Sequence, residues 1–521
     1  MSDASAIPAE GARAARLRNR AILGLVSFLI VLPTALFAIA LNPLPAAILL
    51  VGCAGVLAIA VQQPASAQMR DGIGAHVLDR PLDMRALAIS IAISAAIFIL
   101  GGALHLFYAP QDWRIRDAVL GDLARYGFPL IYDDKGREYL LRAPLGMYMA
   151  PALAGRMFGA IVAHAVMLVQ NSVLLGATLY LLGAMGRGWR HMLILVLFSG
   201  FAVFGLLLLT LLGEAIDWER MLLLSLDAWL PKFQYSSAIT QFFWVPNHAL
   251  PGWWLATLLI LQTRGEIDMA TVAAGIGGAM FWSPLVVLPV ALWIAISILW
   301  NLRENLALPR IWAVLVLGLC FLPTALYMVI GAGEISHGVP AAGGSFAFFY
   351  AIFMCAQIWQ PAFVFAHRAL MPPALFRLFV FSFCVLALLP FVSFGPANDL
   401  MMRGSIPALV VVAYAFGWVA LDAGLSRNAR WFAVVLIAGC SASALLETIR
   451  AIAAKPYEIS DCSLFEATRA LGADGVATNY ATERAHIPGW LMNLGRAPHS
   501  IGAERRCWSD LNLRQGAGSA P

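Results

Sequence analysis

Apolar residues run in long blocks from one end of this chain to the other, separated by short polar stretches. Thirteen blocks read as helices, near 22–41, 46–62, 86–107, 157–185, 192–213, 249–263, 269–282, 284–300, 311–331, 346–366, 376–394, 405–422 and 431–450. A helix needs about 20 apolar residues to cross a bilayer. The pattern therefore predicts an all-α polytopic membrane protein with about 13 transmembrane helices. The region 249–300 is the least regular. Phe281-Trp282-Ser283-Pro284 reads as an outer turn between short helices or as a kink in one long helix, because proline does both.

The polar stretches fall into two kinds. Short ones carrying arginine alternate with longer, more varied ones. Arg13, Arg16, Arg18 and Arg20 precede the first block, so the positive-inside rule puts segment 1–21 in the cytoplasm. Alternation then places Arg70, Arg80, Arg85, Arg187, Arg190, Arg264, Arg303, Arg310, Arg368, Arg377, Arg427 and Arg430 inside as well. The varied loops 108–146, 214–250, 332–345 and 395–404 fall outside, as does a small tail, 451–521. Residues 22–450 form the membrane domain. The expected location is a bacterial inner membrane, with the tail in the periplasm.

Composition agrees. Hydrophobic residues make up 61% of the 521 and charged residues 12%, against about 45–50% and 25% in soluble domains. Mean hydropathy is +0.79. The net charge of +5 is spread over many short loops and describes no nucleic-acid surface. No cleavable signal is evident, and the first apolar run is long enough to remain as an anchor. Cys53, Cys320, Cys355, Cys384 and Cys440 lie in apolar blocks, where cysteine acts as a small apolar residue. Cys462 and Cys507 lie in the exported tail, which favours a disulfide over two unpaired thiols.

Candidate chemistry gathers in the outer loops. The first places Asp112, Arg114, Arg116, Asp117 and Asp122 at the mouth of a span. Residues 112 to about 126 read as an amphipathic helix lying on the membrane, with Ile115, Ala118, Val119 and Leu123 on its apolar face. Arg116 and Asp122 fall away from that face. Asp112 stands at an N-cap position, and a capped carboxylate is also an oriented general base. Residues 130–141 read as a hairpin turning at Asp133-Asp134-Lys135-Gly136. Arg142 suits either snorkelling to the interface or forked binding of a phosphate.

In the second loop, Asn247 and His248 sit between Pro246 and Pro251 amid aromatics. A histidine there can donate, accept or take a proton near neutral pH, or simply bond to backbone. Glu214, Asp217 and Glu219 read as a solvated acidic patch. In the fourth loop, Asn398 precedes Asp399 and Arg403, an i, i+4 pair at the start of a span. Ionisable residues at that depth are functional candidates, though a structural pair that fixes the helix start accounts for them too. No phosphate-binding loop or zinc-type spacing stands in a credible context.

The layout resembles the GT-C superfamily of integral-membrane glycosyltransferases. The resemblance rests on Gln111-Asp112-Trp113 just past the 86–107 block, followed by a surface helix over 113–126. The paired acidic motif familiar at that position is absent, and two blocks precede the one expected to lead into the loop. The resemblance implies a polyprenyl-phosphate-linked sugar donor, membrane lipids as partners, and an acceptor (glycan, lipid or protein) on the outer side. It implies Asp112 as the catalytic base, with Arg116, Asp122, Arg142, Asn247, His248, Asn398, Asp399 and Arg403 as substrate contacts. A divalent metal is left open. Two other readings stand beside it. One is a transporter or flippase of a lipid-linked or anionic substrate. The other is a membrane acyltransferase acting through His248.

Overall fold

The computed structural model describes residues 17–62, 76–216, 225–230, 232–300, 309–339, 344–395, 398–472, 479–502 and 506–509. Arg13, Arg16, Arg70, Arg303, Asp217 and Glu219, discussed above, lie outside these ranges. Each predicted block contains helix, but several are broken. Among the described residues seven helices are long and apolar enough to cross a membrane, or up to nine if each bent pair counts as one span. Helices Met84–Leu100, Met269–Met280 and Pro284–Trp300 are apolar but shorter. The bent pairs are Ile311–Cys320 with Leu322–Val329, at 49°, and Ser345–Gln357 with Trp359–Ala366, at 56°.

The block expected to run to residue 107 stops as a helix at Leu100. Gly102 then takes φ +98°, and a side chain there would lie 2.3 Å from the Ala109 Cβ. Leu104 and His105 also have positive φ, 59° and 52°, in a region that L-residues rarely adopt. From this compact turn the His105 ring reaches Asp117 and the Tyr457 carbonyl, each at 2.8 Å.

At the centre runs Pro246–Thr263, in which every residue but Gln262 is buried. It is apolar nearly all round, through Trp253, Trp254 and Leu255–Leu261, and such a helix belongs in a core. It packs against Ala160–Met185, Met269–Ala279, Pro284–Trp300, Pro373–Leu388 and Ile406–Ala420. Pro246 suits its first turn, where its missing N–H is not needed. That start fixes Asn247 and His248 at the head of the core.

The connections converge on two ends. At one, Arg20 pairs with Asp79 at 3.0 Å, Tyr180 donates to Asn19 at 2.6 Å, Glu266 accepts from the Leu78 N–H at 2.9 Å, and Arg187 pairs with Asp422. At the other, loop and tail build a small sheet. Strands β1 (Ile131–Asp134) and β2 (Arg137–Leu141) form the predicted hairpin, turning through Lys135 and Gly136, both at positive φ. Strands β3 (His337–Gly338) and β4 (Ser393–Phe394) pair the third loop with the two residues just before the fourth. From the tail, β5 (Ala481–Glu483) pairs with β2 and β6 (His499–Ser500) with β1, giving the order β5-β2-β1-β6. The tail is thus woven into the first loop. The Cys462–Cys507 disulfide closes it.

The helix Asp112–Tyr126 has its expected bounds but not its expected setting. Eleven of its 15 residues are buried, including Arg114, Arg116, Asp117 and Asp122. It is no membrane-surface helix. One side packs on Met149–Phe158 and Ala160–Met185, the other under tail helix Leu464–Ala470. The tail therefore covers the polar face that sequence alone leaves open. Asp122, 0% exposed, is the main tether: it accepts from the Tyr132 hydroxyl and the Leu464 N–H, each at 2.8 Å, and from Arg125 at 3.1 Å. Asp122→Ala orphans the two buried donors at about 1–3 kcal/mol each. We expect loosened tail docking and faster hydrogen exchange over 464–470, and unchanged exchange there would contradict this role.

Candidate functional site

The tail-covered end holds a connected polar chain built from four segments. Asp112 is the first helical residue rather than the cap. Gln111 occupies the N-cap position and makes no side-chain cap bond. The Asp112 side chain is 46% exposed and pairs with Arg116 one turn on, at 3.5 Å. Arg116 itself is 2% exposed. Its guanidinium donates to Asn247 Oδ1 at 2.6 Å, to the Trp244 carbonyl at 2.7 Å and to the Tyr148 hydroxyl at 3.4 Å. Its Nε is buried with no hydrogen-bond partner.

Asn247 passes the chain inward. With Oδ1 turned to Arg116, its Nδ2 donates to His248 Nε2 at 3.2 Å. His248 Nε2 is then an acceptor, so Nδ1 carries the hydrogen and donates to Ser283 Oγ at 2.7 Å. Both ring nitrogens are occupied, and the ring is 3% exposed. Here His248 orients its neighbours. It offers no free nitrogen to an incoming substrate. Ser283 lies in the turn between helices Met269–Ala279 and Pro284–Trp300, which decides for a turn over the kink.

A second arm comes from the fourth loop. Asp399 and Arg403 form the expected i, i+4 pair at 3.0 Å within the short helix Asp399–Gly404. Asn398 takes the cap, at φ +57°, and accepts from the Met401 N–H at 3.4 Å. Gly395, at φ +82°, sits so close that a side chain would lie 2.2 Å from Asp399 Oδ2. Arg403 keeps a buried Nε without a partner, while its side chain is 26% exposed. The two arms meet at Tyr480, whose hydroxyl lies within electrostatic reach of Asp112, Arg116, Asp399 and Arg403. Burial pushes that phenol's pKa up, the arginines oppose the shift, and the carboxylates reinforce it.

Asp112, Arg116, Asn247, His248, Asp399 and Arg403 are thus brought together, with Asn398 as the cap behind them. Asp122 points the other way, into the tail. Arg142 is 5% exposed under the tail: its backbone N–H donates to the Tyr480 carbonyl at 2.7 Å, and its guanidinium lies beside Tyr327. It does not snorkel. The sequence reading missed Tyr148, Ser283 and Tyr480, since none belongs to a motif. Among the described residues no group of three or more His, Cys, Asp or Glu is placed to hold a metal ion.

A second polar cluster locks the first-loop helix to the tail. His105 Nε2 contacts Asp117 Oδ2 at 2.8 Å and Nδ1 contacts the Tyr457 carbonyl at 2.8 Å. Both partners are acceptors, so with Asp117 ionised both ring nitrogens must donate and the ring is a cation. His164 Nδ1 stands 4.0 Å from Asp117 Oδ1, and Arg114 stacks over Tyr457 and Trp508. Burial disfavours the charged ring, but the hydrogen bond and charge of Asp117 outweigh it and hold the His105 pKa above the ordinary histidine value.

A raised histidine pKa contributes stability that is fully present below the unfolded value, about 6.5, and is lost as pH rises through the folded value. Asp122, pushed up to about 6 by burial, acts in the same sense: its contribution fades as pH rises from about 4 through about 6. Thermal midpoints should fall from pH 6 to 9, and His105→Gln should flatten that fall. An equally steep fall in the variant would contradict this assignment.

Compared with protein-family models, characterised protein sequences and solved structures, the chain gives no match.

Proposed function

We propose that this protein is a membrane glycosyltransferase of GT-C type, moving a sugar from a polyprenyl-phosphate donor to an acceptor hydroxyl at the tail-covered end. The observation that carries this reading is the half-exposed Asp112 carboxylate, held by a buried arginine that is itself held at three points. An anchored carboxylate of this kind suits a general base. In the reaction, the acceptor hydroxyl gives its proton to Asp112 and its oxygen attacks the anomeric carbon. The bond from that carbon to phosphate oxygen breaks, and the lipid phosphate leaves with the electron pair, inverting the centre.

Arg403 meets the charge that develops on the phosphate. Arg116 positions Asp112. Asp399 orients Arg403, and His248 with Asn247 braces Arg116. The resemblance to GT-C enzymes and the gathering of polar groups at one end both support the reading. In this reading the tail-covered end faces the periplasm of a bacterial inner membrane and the N-terminus is cytoplasmic. The nine spans, the three shorter apolar helices and Pro246–Thr263 then make thirteen crossings.

A flippase reading has one observation in its favour. The two bent helix pairs have the form of the discontinuous helices that build transport sites. The test separates the two. Protein in lipid vesicles is given labelled polyprenyl-phosphate sugars and an acceptor extract. Label joining the acceptor supports the transferase. Labelled donor crossing the bilayer without transfer supports the flippase and sinks the enzyme reading.

A further inference from the structure

At the rim of the tail-covered end, two arginines converge on the last turn of the first-loop helix. Gly127 follows Tyr126 at φ +73°, and a side chain there would lie 2.5 Å from Arg156 Nη1 and 3.1 Å from Arg496 Nη1. The two nitrogens can be no farther apart than those distances together, so both guanidiniums share one spot beside the glycine. Arg156 belongs to helix Met149–Phe158 and Arg496 to the tail. Arg496 Nη1 donates to the Tyr126 carbonyl at 3.0 Å, which satisfies one carbonyl of the helix end. Among the described residues Arg156 makes no hydrogen bond or ion pair, and Arg496 pairs with no carboxylate.

Like charges held this close repel, and an anion between them relieves both. The surroundings say which kind of anion. Arg156 stands just before the span Ala160–Met185, beside the exposed apolar Met157, Phe158 and Ile161. The tail reaches Arg496 along the ends of two other spans, Arg20–Ala40 and Pro43–Gln62. There Asn42 Nδ2 donates to the Gly489 carbonyl at 2.7 Å, and the Asn493 N–H donates to the Ala40 carbonyl at 2.9 Å. Trp490, between these two bonds, is exposed. Exposed apolar side chains, a tryptophan and arginines with free heads together mark a membrane–water interface.

We propose that Arg156 and Arg496 form a headgroup site for an anionic phospholipid, whose phosphate accepts from both guanidiniums while its chains lie beside Met157, Phe158 and Ile161. The planar fork of arginine matches phosphate oxygens and makes charge-assisted hydrogen bonds to them. One bound lipid then bridges a membrane helix and the tail, and pins the tail to the bilayer. Gly127 leaves the space in which the two arginines meet. The site lies at the far end of helix Asp112–Tyr126 from Asp112. The proposal does not depend on the transferase reading.

The test therefore reads lipid binding, not transfer. Full-length protein in phosphatidylcholine nanodiscs is unfolded thermally as phosphatidylglycerol replaces a growing share of the lipid, and lipid retained by the protein is counted by native mass spectrometry. A ligand that binds only the folded state raises the midpoint with concentration. We expect a saturable rise with phosphatidylglycerol and retention of that lipid over phosphatidylcholine. Arg156→Gln, which breaks no side-chain bond among the described residues, should weaken binding about fivefold, as should Arg496→Gln, and the double variant should abolish the preference. Arg137→Gln, at an exposed position on β2, should change nothing. Equal midpoints in the two lipids would overturn the proposal. So would an equal loss in Arg137→Gln, which would reduce the effect to overall surface charge. The same rise from inorganic phosphate in phosphatidylcholine discs would assign the pair to a soluble anion and overturn it equally.

Discussion

Asp112→Asn should insert and fold normally yet lose transfer by between about a hundredfold and ten-thousandfold, the range that a positioned general base supplies. The substitution is nearly isosteric. It keeps an oxygen for the Arg116 contact at 3.5 Å, and the site is 46% exposed, so little stability is at stake. What it removes is the ability to take a proton from the acceptor hydroxyl. Donor binding should survive, because the phosphate is assigned to Arg403. The expected signature is a fall in kcat with KM for the donor nearly unchanged. Full activity in Asp112→Asn would end the base assignment.

Arg116→Ala should be damaging in a different way. Arg116 is the hub of the site: it joins Asp112 to Asn247, to the Trp244 carbonyl and to Tyr148. Its removal leaves buried acceptors at Asn247 and Trp244 without donors, at a cost of about 3 kcal/mol or more. It also frees Asp112 to swing. Thermal stability and transfer should fall together. Arg116→Lys separates the two effects. It restores the charge beside Asp112 but not the planar fork that reaches several acceptors at once. We expect it to recover part of the activity and little of the stability. A lysine variant with wild-type behaviour in both would show that the fork geometry does not matter.

Much of this was legible in the sequence, for physical reasons. Helices in lipid need long apolar runs, so the blocks were plain. Their breaks were not, because the turn after Leu100 depends on the close approach of Gly102 to Ala109. The hairpin at 131–141 was announced by Asp-Asp-Lys-Gly, since those residues tolerate the backbone the turn needs. The pairing of Asp399 with Arg403 followed from helical spacing. The setting of helix Asp112–Tyr126 was hidden. Its polar face looked ready for water, and only the fold shows a tail more than 300 residues away covering it. Tyr148, Ser283 and Tyr480 were equally hidden, because single hydroxyls carry no spacing signal. The capping box at Ser463 and Glu466 was a readable helix start that went unused.

Chemistry is assigned to the end of the bundle that the tail covers, and the sidedness of transfer tests that assignment. Proteoliposomes are sorted by whether a membrane-impermeant reductant and thiol reagent reach Cys462 and Cys507, which marks the side the tail faces. Acceptor is then supplied on one side only, with labelled polyprenyl-phosphate sugar in the bilayer. Transfer is expected when acceptor and tail share a side, and none when they are opposed. Transfer confined to the opposite side would place the active site at the arginine-bearing end and rule out a site built on Asp112.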